Sequence, residues 1–238
     1  ISILEFLKYL KFKKKIYIWK NTFFLILSSY VSPNFSLFIL YFSYHYLKEN
    51  NLKDFIPLYI FCLISSFPVF YYLVILDVNF LMVNTPGFNS EQNISLSFNF
   101  ADKILIISSI ILFHLIPFIL NKDFLLELIK SPKKDLFIIC LIFILLVSFF
   151  NYQSNFTGGG IFFQISNYFF KNNILFYLVS FLSLVLLYSF IKKSVSNCFI
   201  FLLLIISNIQ NTIYHKYYDP LIMILFFSLL TIPDNLKF

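Results

Sequence analysis

The sequence predicts an all-α, polytopic transmembrane helical bundle with about six crossings plus a re-entrant helical hairpin. Three observations predict it. Hydrophobic residues make up 60% of the chain and charged residues only 12%, against about 25% charged in an average soluble domain. Apolar runs such as Ile104 to Leu120 and Ile174 to Ile191 approach the roughly 20 residues needed to span a bilayer core. The lysines gather in short connecting segments, where they orient a membrane protein.

Taken in order, residues 1–20 hold Lys8, Lys11, Lys13, Lys14, Lys15 and Lys20 beside Tyr17 and Trp19. That is the pattern of a cytoplasmic membrane boundary. Residues 21–47 are apolar but interrupted by Ser32-Pro33-Asn34, so they either cross once with a kink or turn back. Further crossings are expected at 55–76, 100–120, 135–150, 172–191, 195–211 and 219–233, the last two short for the purpose.

The lysine count decides about 21–47. If this stretch turns back, fifteen of the eighteen lysines share one side, leaving Lys103, Lys171 and Lys216 on the other. If it crosses once, each side holds nine. The positive-inside rule selects the hairpin, with its tip near Pro33 inside the membrane. Non-helical backbone persists there only when buried in protein or facing a wet cavity.

This topology gathers loops 77–99 and 151–171 and the stretch 208–220 on the non-cytoplasmic face, where any site is expected to open. With no internal repeat and no soluble segment of useful size, residues 1–238 read as one integral membrane domain. The chain opens on Ile1, as a fragment lacking its N-terminal part would.

Several classes are set aside. The net charge of +7 comes entirely from lysines, without a single arginine, and reads as membrane orientation, so no nucleic-acid partner is expected. Cys62, Cys140 and Cys198 lie within apolar runs and read as packing thiols. No His, Cys or carboxylate grouping has metal-site spacing along the chain, so neither a metal nor another cofactor is expected. His45 and His114, isolated on apolar segments, read as packing or hydrogen-bonded side chains.

The most informative stretch is Asn208 to Pro220, which packs Asn208, Gln210, Asn211, Tyr214, His215, Lys216, Tyr217, Tyr218 and Asp219 between two apolar runs. Polar groups near a membrane cost free energy unless paired, hydrated or used. Asp219-Pro220 starts a helix in the manner of an N-cap followed by proline, which sets His215 and Lys216 at the rim of a site. The Lys216 ammonium suits a lipid phosphate or diphosphate, with His215 and Tyr217 beside it. The plainer alternative is interfacial anchoring by tyrosines and a snorkelling lysine.

In loop 77–99, Asp77 and Glu91 with nearby amides suit a sugar pocket, or simply a solvated loop. Gly158-Gly159-Gly160 is not a P-loop, because no Gly-Lys-Ser/Thr follows. It is either a flexible turn or a place of close backbone approach.

Three places carry a resemblance to a known family. Tyr30-Val31-Ser32-Pro33-Asn34 resembles an Arg-Gln-Thr-Asn stretch, with Asn34 retained and Ser32-Pro33 standing where Arg-Gln is usual. Asn84-Thr85-Pro86-Gly87 through Asn99, followed by a helix ending His114-Leu115-Ile116-Pro117-Phe118, is similar to a glycine- and proline-bearing loop and its following helix. His215-Lys216-Tyr217-Tyr218-Asp219-Pro220 looks like an acidic-x-Arg-Tyr element before a Pro-containing helix, with Lys216-Tyr217 replacing Arg-Tyr and the preceding acid absent. The family is that of the polytopic α-1,2-glucosyltransferases using dolichyl-phosphate glucose, of the GT-C type, and more closely their bacterial relatives.

The resemblance implies a multi-pass enzyme of the bacterial inner (plasma) membrane. A polyprenyl-phosphate sugar would be the donor and a lipid-linked glycan the acceptor, with no cofactor. Lys216, His215, Tyr217, Asp77, Glu91 and Asn34 are the candidate substrate contacts. The catalytic carboxylate of such enzymes commonly lies in the first external loop, expected upstream of Ile1. A polysaccharide polymerase or flippase is the first rival. A transporter subunit is the second, disfavoured because the expected crossings hold almost no ionisable residue at mid-membrane.

The topology is testable directly. Cysteines introduced singly at Asn89, Ser131 and Thr212 are expected to react with an impermeant thiol reagent in intact cells at Asn89 and Thr212 only. Labelling at Ser131 alone would reverse the assignment.

Overall fold

The computed structural model describes residues 1–31, 33–71, 75, 99–119, 133–153, 158–207 and 213–231. Among them every regular element is helical and none is a strand. Contacts divide the chain into two compact units, Ile1–Ser95 and Leu96–Phe238, taken here in turn. Among the described residues three helices are long and apolar enough to cross a membrane: Leu52–Phe70, Phe100–Pro117 and Ile174–Lys193.

The first unit holds α1 (Ser2–Phe12), α2 (Lys15–Val31), a 3-10 turn (Pro33–Leu37), α3 (Phe38–Glu49) and α4 (Ile56–Phe70). The lysine-rich start is thus a helix of its own, ending at Lys13 in the left-handed region (φ 53°). Glu5, Phe6 and Tyr9 share its buried face. Phe6 is fully covered and meets the rings of Tyr41, Phe42, His45 and Tyr46.

One polar side chain organises this unit. Asn21 is fully buried. Its Nδ2 donates to the Ser2 carbonyl (2.8 Å) and Ser2 Oγ (2.9 Å), and its Oδ1 accepts from Tyr46 Oη (2.9 Å). Residue 21 lies near the start of α2 and residue 46 near the end of α3, so these helices run antiparallel and the chain reverses by way of the 3-10 turn Pro33–Leu37. The Pro33-Asn34 part of the interruption is therefore a turn between helices. Ion pairs of Lys13 with Glu49 and Lys15 with Asp54 (3.0 Å) close the basic end. By contrast α4 leaves Ile60, Leu63, Ile64, Phe67 and Phe70 exposed, an apolar face suited to lipid.

The second unit is built around α5 (Phe100–Ile119), two thirds of whose apolar window is buried. Packed about it are α6 (Lys133–Ser148), α7 (Gly160–Phe170), α8 (Ile174–Lys193), α9 (Val195–Ile206) and α10 (Asp219–Ser228). Ser180 Oγ donates to the Leu105 carbonyl (3.2 Å) and Ser183 Oγ to that of Ser108. Both partners advance by three residues together, so α8 runs parallel to α5. Small hydroxyl residues at this seam let two apolar helices approach closely.

The helix ends define two levels. At the upper one, Asn99 Nδ2 donates to the Phe149 carbonyl (3.3 Å) and the Asn151 amide to Asp102 Oδ1 (2.8 Å). At the lower one, Lys192 pairs with Asp135 (2.8 Å). Asn197, fully buried, exchanges hydrogen bonds with the backbone of Thr231 (2.8 and 2.9 Å).

Both α9 and α10 join the lower level but stop short of the upper. With 12 and 10 residues they rise about 18 and 15 Å, against a hydrocarbon core of about 30 Å. The expected crossings 195–211 and 219–233 are helices of partial length in their described extent. In the described part of their junction, residues 213–218, Ile213 and Tyr218 are buried.

The Asn21 hub predicts a graded response. Asn21→Ala leaves Tyr46 Oη without its acceptor and removes two bonds to Ser2, whose Oγ keeps its own bond to the residue 21 carbonyl (3.1 Å), and is expected to cost about 1–3 kcal/mol. Tyr46→Phe, which removes one bond, should cost less. Thermal unfolding in detergent micelles followed by circular dichroism would check the order, and unchanged melting of Asn21→Ala would refute the hub.

Candidate functional site

The described part of the α9–α10 junction begins at Ile213, with extended chain leading to a 3-10 turn, His215–Tyr217, and then α10. Ile213 is buried. Its amide donates to Tyr152 Oη (3.2 Å) and its carbonyl accepts from the Gly159 amide (2.8 Å). Two of the three polar loops expected to converge therefore do so, namely 151–171 and 208–220. Loop 77–99, with Asp77 and Glu91, lies outside the described residues.

Gly160 explains why the glycine run sits here. Its φ is +78°, and a Cβ on it would lie 2.9 Å from Ile110 Cγ1. Only a residue without a side chain lets α7 begin so close to α5.

Below this contact the turn brings three ionisable groups together. His114 Nε2 is hydrogen-bonded to Asp219 Oδ1 at 3.0 Å. His215 Nε2 lies 3.0 Å from the same oxygen, yet without the alignment of a hydrogen bond. Both of its ring nitrogens are buried and have no hydrogen-bond partner. The imidazole centroids are 5.3 Å apart, and Phe113 packs edge-on against His215 at 5.1 Å. Side-chain exposure is 11% for His114 and 15% for His215 but 45% for Asp219, so the carboxylate is the open side. Burial lowers the His215 pKa below the ordinary imidazole range; Asp219 opposes that shift and His114 adds to it.

The cluster lies deeper than the rim position expected from sequence. His114 is about 18 Å along α5 from Asp102 at the upper level, and Tyr218 Oη reaches the Leu204 carbonyl (3.4 Å) within α9. Asp219 is the first residue of α10, with Pro220 next, but the N-cap position expected for it belongs to Tyr218 and no side chain caps the helix. Its carboxylate is turned to the histidines instead.

Of the candidate contacts, His215 is in the cluster. Lys216 follows it, exposed, with its ammonium 5.4 Å from the centre of the Tyr214 ring. Tyr217 belongs to the same turn and Asn34 to the turn Pro33–Leu37, but the side chains of both lie outside the described residues.

Sequence reasoning missed the pairing of His114 with Asp219, 105 residues apart. The local signal was the i,i+4 spacing of His215 and Asp219, and nothing along the chain joined His114 to them.

The first unit offers a different kind of space. A groove of about 740 Å³ among α2, α3 and α4 is lined by Tyr30, Ser36, Tyr59, Cys62, Ser66 and Phe70 with aliphatic neighbours. Its hydroxyls and apolar walls suit a lipid chain better than an ionic reaction. Comparisons with protein-family models, with curated proteins and with solved structures find no match to this chain.

Proposed function

We propose that the protein is a multi-pass membrane glycosyltransferase of the bacterial inner membrane. It moves a hexose from a polyprenyl-phosphate sugar to a lipid-linked acceptor on the non-cytoplasmic face. In this reading the two antiparallel helices of residues 15–49 form a re-entrant hairpin, about six further segments cross, and the α9–α10 junction dips into the bundle from outside.

The observation that carries the proposal is the placement of His114, His215 and Asp219, with Lys216 adjoining, at the upper end of the partial helix α10. Ionisable groups inside an apolar bundle mark a functional site by default. A helix N-terminus supplies partial positive charge, and Lys216 adds a full one. Together they favour an anion such as the donor phosphate. As the sugar leaves, negative charge builds on that phosphate, and fixed cations lower the barrier.

A carrier is the second reading, favoured by the same junction. Interrupted helices whose ends meet at mid-depth are a recurrent substrate site in secondary transporters, and His114, His215 and Asp219 supply the ionisable groups that the sequence topology left out of mid-membrane.

Lys216→Ala is expected to lower turnover on the order of 10²-fold, with Lys216→Arg retaining part of the activity and Lys237→Ala none of the defect at equal expression. Equal activity of Lys216→Ala and the parent would remove this residue from the site. The reaction itself is read from membranes supplied with radiolabelled polyprenyl-phosphate hexose and a lipid acceptor pool. Label is expected to enter the lipid-linked fraction. Movement of an unmodified solute or glycan, without transfer from any lipid-linked donor, would establish the carrier instead.

A further inference from the structure

We infer that His114, His215 and Asp219 form a binding site for one divalent transition-metal ion of the zinc class. Each residue offers a ligand atom, and all three atoms lie within 4.8 Å of one another. Ligands of a tetrahedral zinc ion, bonded at about 2.0–2.1 Å, stand about 3.3 Å from each other. The two nitrogen-to-oxygen separations here, both to Asp219 Oδ1, are 3.0 Å and would open slightly around an ion, while the two imidazole nitrogens, within 4.8 Å of each other, would settle at the ligand spacing by ring rotation.

A second observation points the same way. His215 has two buried ring nitrogens without a hydrogen-bond partner, although an unpaired buried polar group costs about 1–3 kcal/mol. Its Nε2 stands against a carboxylate oxygen without bonding to it. An ion between the two would satisfy both at once.

The donor set selects the metal. Two imidazoles and one carboxylate suit zinc and its neighbours, whereas magnesium and calcium prefer oxygen ligands throughout. The net charge also balances sensibly: a dication on one carboxylate and two neutral imidazoles leaves one positive charge inside the bundle, facing the side on which Asp219 is exposed. Phe113 shields His215 from the other direction. Three protein ligands leave a fourth position on that open side, the arrangement of zinc sites that take a further ligand.

This inference stands apart from the transfer reaction, because metal binding is read without donor or acceptor. The full chain, purified in detergent and stripped with a chelator, is dialysed against Zn²⁺ alone and its metal content measured. One Zn²⁺ per chain is expected. His114→Ala, His215→Ala and Asp219→Asn should each weaken binding on the order of 10²-fold, while His45→Ala leaves it unchanged.

The parent protein loaded with Co²⁺ provides a check that needs no variant to fold. It should show the intense visible absorption of four- or five-coordinate cobalt, abolished by competing Zn²⁺. Stoichiometric binding retained in the triple variant would overturn the site, as would a weak six-coordinate spectrum or no binding by the parent. A parent that binds zinc yet transfers no hexose would leave the site intact and overturn the transferase reading alone.

Discussion

A buried peptide group that belongs to no helix must find both its hydrogen bonds within the protein. Ile213 meets that condition between Tyr152 Oη and the Gly159 amide. The rest of the second unit depends on these bonds. They anchor the extended residues that lead into the 3-10 turn His215–Tyr217 against an apolar bundle. They also explain the glycine run, since the Gly159 amide reaches Ile213 only if Gly160 can lie against Ile110. Removing the side chain at 160 and supplying a phenol at 152 are two parts of one solution.

Once the junction is held, the ionisable cluster follows from helix geometry. The turn at 215–217 and the start of α10 put His215 and Asp219 four residues apart, on one side of the chain and facing α5. α5 answers with His114 and, beside it, Phe113. The two imidazoles are packed nearly out of solvent while the carboxylate stays half open. A negative group is thus anchored from behind by nitrogen and remains available in front. Lys216, pointing to the exposed side, adds charge without entering the cluster.

Much of the helical frame was legible in the sequence, because long apolar runs broken by lysines leave few alternatives in an all-helical chain. The segments 100–120 and 172–191 match Phe100–Ile119 and Ile174–Lys193 closely. Helix α1 was harder to read, since its apolar face is interleaved with the lysines that marked a membrane boundary. Depth was not legible at all. Hydropathy shows that residues 195–211 and 219–233 are apolar, but not that their helices meet within the bundle. That depends on Tyr152, Gly159 and Gly160, more than 50 residues upstream of Ile213. His114 is hydrogen-bonded, as read from the sequence, but its partner was not legible for the same reason: on its own helix it is an isolated polar residue, and Asp219 lies 105 positions away.

Each unit answers the cost of buried polarity with a saturated asparagine. Asn21 in the first unit is closed, with its amide donating to Ser2 and its oxygen accepting from Tyr46. Asn197 in the second is closed likewise on Phe190 and Thr231. Such saturated groups hold helices in register and have no remaining valence for a ligand. His215 is the contrast, since burial withdraws both of its nitrogens from water and no protein group replaces that water. Among the described residues Glu5 Oε2, Thr22 Oγ1 and Asn173 Oδ1 are also buried without a hydrogen-bond partner, but only His215 has a second imidazole and a half-open carboxylate beside it, all within reach of one ion. The His114–His215–Asp219 cluster is therefore where one entering ligand satisfies several groups at once.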